Sequence, residues 1–158
     1  MRNLLLEILP DVIFIAGDST DPNGTHSMCV DAFHAALASL REYSKTDDQR
    51  KFTEKMKAGK FPFLFHYRGA WQEFSIDEAD AVEVFSAGAM QEKIAMILEH
   101  VSQLDPLFPG PVDDRQFWER ARDRNMEFVE SSRQLGLRLN GDMAEVYRIA
   151  RDTTDRIN

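Results

Sequence analysis

The stretch DVIFIAGDSTDPNGTH, residues 11–26, decides how the chain is read. Val12, Ile13, Phe14 and Ile15 form an unbroken apolar run that stops at Ala16-Gly17-Asp18. A short run of β-branched and aromatic residues bounded by turn formers reads as a buried strand. Small and polar residues follow from Asp18 to Thr25, and an amphipathic segment then runs from His26 to about Leu40. Strand, polar loop, helix is the unit whose carboxyl-end loop carries ligands in open α/β sheets. The segment around His26 therefore becomes the first place to look for chemistry.

Working outward, Arg2 to Leu9 has helical spacing, with Leu5, Leu6 and Leu9 on one side, and Pro10 ends it. The helix from His26 carries Val30, Phe33, His34, Ala36, Leu37 and Leu40 at 3–4 spacing. Residues 44–60 are charged and weakly periodic, a surface loop running into a short helix. Phe61 to Tyr67 is a second apolar run, read as a buried strand with Pro62 at its start. Ala81 to Phe85 alternates as a third, half-exposed strand, and Ser86 caps a helix from about Ala89 to Gln103 with Ile94, Ile97, Leu98 and Val101 as its stripe. The Pro/Gly stretch 105–111 interrupts any helix. Asp113 or Asp114 then starts a long helix bearing Phe117, Ala121, Phe128 and Leu135, closed by Gly136. A last short helix is expected over about Asp142 to Arg151, with Met143, Val146, Tyr147 and Ala150 in register. Three strands alternating with helices give an α/β class with a thin, mainly parallel sheet and C-terminal helices.

At 158 residues the chain fits a single domain, and 43% hydrophobic content supports a core. A net charge of −8 excludes nucleic acid and anionic membrane surfaces as natural partners, because both would repel it. The one cysteine, Cys29, forms no internal disulfide, so the reducing cytoplasm is the expected compartment. Cys29 itself reads as a buried core thiol. The leading Leu4-Leu5-Leu6 run breaks at Glu7 and is no signal peptide. No run approaches the roughly 18 apolar residues of a membrane span.

Several motifs resemble one family. Asp21-Pro22-Asn23-Gly24-Thr25-His26 is similar to the second metal motif of the PIG-L/LmbE-like de-N-acetylases. It is nearest to the subgroup fused behind a glucosamine-6-phosphate deaminase-like domain. Tyr67 to Glu73, Lys93 with His100-x-Ser102-Gln103, and Arg115 to Asn125 resemble further segments of that subgroup. The family's first motif, His-Pro-Asp-Asp, is not here: none of His26, His34, His66 and His100 is followed by Pro-Asp. Residues 1–158 thus look like the C-terminal part of such a domain. The resemblance implies a Rossmann-like three-layer fold and, for a complete relative, zinc-dependent removal of an N-acetyl group from an amino sugar.

By that resemblance His26 is a zinc ligand; otherwise it is a helix-start histidine bonded to its loop. Asn23 stands where the family has a catalytic histidine. It can donate a hydrogen bond to an oxyanion but cannot carry a proton, and Pro22-Asn23-Gly24 is equally good turn chemistry. Asp18 and Asp21 either orient His26 and a sugar hydroxyl or cap the loop. Arg68 suits a phosphate and Trp71 a sugar face, against the plainer roles of surface and core residues. His100 and Gln103, one turn apart, either support the site wall or form a polar pair at a helix–sheet contact. Arg115 is the one residue of its charged helix placed as a substrate contact.

These readings give a fragment or degenerate member of a zinc-dependent amino-sugar N-deacetylase-like family, with an amino sugar or sugar phosphate as partner. Zinc is expected in a complete relative, and weak or absent binding here, because one credible donor does not make a site of about three. The alternatives are a non-catalytic sugar-phosphate-binding or interaction domain, and part of a glucosamine-6-phosphate isomerase or deaminase-like protein. A thin sheet with its other half missing is also expected to associate, with another copy or with an absent N-terminal segment.

Overall fold

The computed structural model describes residues 1–17, 24–42, 46–57, 62–68, 74–103 and 114–150. Its elements are α1 (Arg2–Ile8), β1 (Val12–Ala16), α2 (Thr25–Glu42), α3 (Asp47–Lys57), β2 (Phe63–Tyr67), β3 (Ala81–Phe85), α4 (Ala87–Leu98), α5 (Phe117–Gln134) and β4 (Met143–Ala150). The class is α/β, and the strands form one four-stranded sheet in the order β1-β2-β4-β3. The sheet is mixed: β1 and β2 are parallel, whereas β4 runs antiparallel to β2.

β4 corrects two expectations, because the segment read as a last helix is a strand and the sheet is not mainly parallel. Met143, Val146, Tyr147 and Ala150 fit a helical stripe. The same residues also fit a period of two, and Ala144 and Val146 are the buried ones. The β-branched and aromatic side chains of Val146, Tyr147 and Ile149 favour the pleat. Tertiary pairing settles the conflict. Leu64 lies opposite Ala150, and Tyr67 opposite Tyr147.

The chain divides into two compact units. The first holds Met1–Ala81 together with β4 from Tyr147 on, and the second holds Val82–Val146. In the first, Leu5 of α1, Phe33, Leu37 and Leu40 of α2, and Phe52 of α3 pack with Leu64 of β2. Ile13 and Ile15 of β1 join them, so α1, α2 and α3 cover one face of the β1–β2 pair. Burying each such side chain is worth roughly 1.5–3 kcal/mol relative to exposure. The other face corrects the expectation of two buried strands: Val12, Phe14 and Phe63 are exposed because helices cover only one side of the pair among the described residues, and Phe14, Phe65 and Tyr147 form a ring cluster with centroids 5.3–5.9 Å apart.

Local chemistry sets the helix ends. Residues 44–60 contain a full helix, α3, with Thr46 and Gln49 bonded reciprocally as a capping box. Asp47 and Asp48 follow in its first turn, where the helix dipole favours acidic groups. Lys55 of α3 donates to the Leu9 carbonyl at 2.6 Å and pairs with Asp11 at 2.7 Å, fixing the corner between α1 and β1. Leu9 there adopts a left-handed backbone with φ 49°.

In the second unit α4 packs on α5. Lys93 of α4 bonds Asn125 of α5 and Glu145 of β4, while the Asn125 amide donates to the Ala144 carbonyl at 2.7 Å. α4 ends at Leu98 rather than near Gln103, and its stripe stops at Ile94. Leu98 and Val101 are exposed, and the chain tightens into a 3-10 turn at Val101–Gln103. α5 starts at Phe117, with Gln116 and Glu119 forming its capping box in place of the expected aspartates. It closes as expected at Gly136, whose φ of 81° lets its own N–H reach the Arg133 carbonyl and the Leu137 N–H reach Ser132.

The alternation along β2 is directly testable. Leu64→Ala should cost about 2–5 kcal/mol in urea unfolding, and Phe63→Ala no more than about 1 kcal/mol. Equal losses at the two positions would contradict the assigned faces.

Candidate functional site

The parallel register of β1 and β2 brings their carboxyl ends side by side. Val12 pairs with Phe63 and Ala16 with Tyr67, and the Gly17 N–H donates to the Tyr67 carbonyl at 3.0 Å. Arg68 therefore leaves β2 beside Gly17, at the end of β1. The Arg68 Nε is buried and has no hydrogen-bond partner among the described residues. A planar guanidinium with an unused N–H at the end of two parallel strands is suited to a phosphate or carboxylate.

His26 occupies the first turn of α2 and is exposed. Gly24 leads into that turn with φ 73°, and its carbonyl accepts from the Met28 N–H and the Ser27 hydroxyl. Cys29, expected in the core, is exposed: burial along α2 begins only at Phe33. Asp18, Asp21, Asn23 and Trp71 lie outside the described residues, as does the side chain of Gln103. His100 and Arg115 belong to the second unit. His100 is exposed just past the end of α4, so it shares no helical face with Gln103. Arg115 pairs with Asp123 at 2.9 Å, and Arg122 binds the same carboxylate at 2.7 Å while lying 5.3 Å over the Trp118 ring.

Two arrangements were not anticipated. His34 and His66 are both buried, and their rings stack with centroids 6.1 Å apart and planes 11° from parallel. The signal was present: His34 sits within the apolar stripe of α2, and His66 alternates with buried Leu64 on β2. The second is the Lys93–Asn125–Glu145 cluster, whose members lie too far apart in sequence to be linked by spacing.

The described donors do not fit a catalytic zinc. Lone pairs in two parallel imidazole planes do not converge on one ion, and a catalytic zinc takes about three converging protein donors. Among the described residues no three of His, Cys, Asp and Glu come together as a metal site. No described helix is long and apolar enough to cross a membrane.

No protein-family model matches the chain, and no solved structure matches it either. One curated protein does, a glucosamine-6-phosphate deaminase-like protein of Bacteroides thetaiotaomicron, at 39% identity over 138 residues. The chain is homologous to a segment of that protein. The matched segment is 87% of this chain and 19% of the relative, so the chain spans about a fifth of the relative's length.

The carboxylate held by Arg115 and Arg122 gives a pH prediction. Burial would raise the Asp123 pKa, but hydrogen bonds from Arg122 and Arg115 outweigh it and hold the carboxyl below its ordinary 3.8. A depressed pKa contributes stability above the unfolded value, and that stability is lost as pH falls through the folded value. Asp123→Asn should therefore cost roughly 0.2–1 kcal/mol at neutral pH. The deficit should vanish as the pH drops below 3.8, and urea titrations showing a constant deficit into acid would contradict the assignment.

Proposed function

We propose that the chain handles the phosphate or sugar end of an amino-sugar phosphate, as one part of a larger site. The observation that carries this is Arg68, with its buried Nε unpartnered among the described residues and its backbone beside Gly17 at the carboxyl ends of two parallel strands. Homology to a protein named for glucosamine 6-phosphate supplies the substrate class. A phosphate is the group for which Arg is best shaped, through two parallel N–H bonds.

The finer reading is a fragment or degenerate member of the PIG-L/LmbE-like de-N-acetylases. Its support is the sequence resemblance around Asp21 to His26, Tyr67 to Glu73 and Lys93 to Gln103. On this reading the fold is one part of a Rossmann-like arrangement, and the open face bearing Val12, Phe14 and Phe63 is where a third layer sits in a complete relative. His26 is then one donor of a zinc site whose other ligands come from elsewhere. The chain alone provides recognition without hydrolysis. A purely packing role is the competing reading, and glucosamine-6-phosphate isomerisation or deamination would reside in the rest of a longer relative.

Calorimetry separates these readings. Glucosamine 6-phosphate should bind more tightly than glucosamine, and Arg68→Ala should weaken the phosphorylated ligand by roughly 10-fold or more. Equal affinity for the two sugars, or no binding at all, would leave the packing role. Zinc should bind weakly and no acetate should be released from N-acetylglucosamine 6-phosphate. Tight stoichiometric zinc lost in His26→Ala, together with acetate release, would overturn the fragment reading.

A further inference from the structure

Two histidines lie side by side inside the first unit. His34 is 7% and His66 1% exposed, and their rings stack with centroids 6.1 Å apart. They come from different elements. His34 belongs to the buried face of α2, with Phe33, Leu37 and Leu40, and His66 to β2, two residues after Leu64. The pair therefore spans the contact between the helix and the sheet.

Histidine changes charge just below neutral pH, with an ordinary pKa of about 6.5. Burial disfavours the charged ring, and a second ring this close makes two charges costlier than one. The neighbouring elements bring the following groups. On β1 the ladder partner of His66 is Ile15; on β4 it is Arg148, a positive charge on the same face. Glu78 balances Arg148 in part, at 3.5 Å. Arg68 follows His66 by two residues and adds another positive charge. α1 and α3 meet this layer through Leu5, Leu6 and Phe52. On α2, Asp31 lies one turn before His34 and is exposed, so water screens it. In the unfolded chain both rings are in water and charge readily.

We propose that the His34–His66 pair is an acid-sensitive latch, whose protonation releases α2 from the sheet. Because the open form binds more protons, closure is full above about pH 6.5 and weakens as the pH falls below it. Each histidine shifts the opening equilibrium by up to about 10-fold per pH unit, and the pair by up to about 100-fold. The second unit holds no such pair among its described residues: its histidine, His100, is exposed. Acid thus loosens the first unit selectively. α2 carries His26 in its first turn, and β2 leads directly into Arg68, so release also unmakes the arrangement at the strand ends. Only the effect on a ligand there rests on the sugar-phosphate reading; the opening itself does not.

Hydrogen exchange on the full chain at about pH 7.5 and about pH 5.5, corrected for intrinsic rates, tests this. Protection in α2 and β2 should fall by roughly 10-fold or more at the lower pH, while α5 keeps its protection. The double variant His34→Leu with His66→Leu should remove this pH dependence, and His100→Gln should leave it in place. If the double variant fails to fold, the imidazole carbon shifts of the labelled wild-type protein decide: both rings should still read as neutral in the folded protein at about pH 5.5. Undiminished protection of α2 and β2, an equal loss in α5, an unchanged pH dependence in the folded double variant, or a protonated His34 or His66 in the folded protein would each overturn the proposal.

Discussion

The first unit depends on β2 being paired on both sides. Parallel bonds to β1 fix the register that brings Gly17 and Tyr67 together, and antiparallel bonds to β4 fix the other edge. With both edges satisfied, the strand's alternation becomes an energetic decision. Leu64 and His66 point into the layer formed by α1, α2 and α3, while Phe63 and Tyr67 point away from it. A one-residue slip would exchange these sets and place Phe63 where Leu64 packs. The core of the first unit therefore specifies the strand ends, and the strand ends specify where Arg68 leaves the sheet.

How much of this was legible in the sequence depended on whether the deciding force was local. β1 and β2 could be read because four or more consecutive apolar residues between turn formers leave few alternatives. Gly136 could be read because a positive φ at a helix end selects glycine. β4 could not, because Met143 to Ala150 satisfies both a helical and a strand period, and what decides is a strand about 80 residues earlier in the chain. α3 was only partly legible: its stripe is short, and its start rests on the reciprocal Thr46–Gln49 bonds rather than on hydrophobic pattern. The burial of Cys29 was misread for a related reason. Helical spacing gives a side chain's direction, but not how far along the helix the packed layer extends.

The candidate site divides in the same way. Arg68 was identified from its place after a strand, and the parallel register gives that place its neighbour. His26 remains an exposed histidine at a helix start. His100 was singled out by resemblance and Arg115 by its place near the Pro/Gly stretch, and Arg115 turns out to hold Asp123 jointly with Arg122. What the structure shows at Arg68 is a buried Nε with no hydrogen-bond partner among the described residues. The described imidazoles at His34 and His66 lie in the packed layer with their planes stacked.

The account stands or falls on the antiparallel contact that makes β4 a strand and β2 an interior one. Nuclear Overhauser effects on the isotopically labelled protein read that contact directly. The account predicts cross-strand backbone effects linking Leu64 with Ala150 and His66 with Arg148, with extended-chain couplings from Met143 to Ala150. Sequential amide–amide effects typical of a helix over the same residues, with no contact to β2, would contradict it.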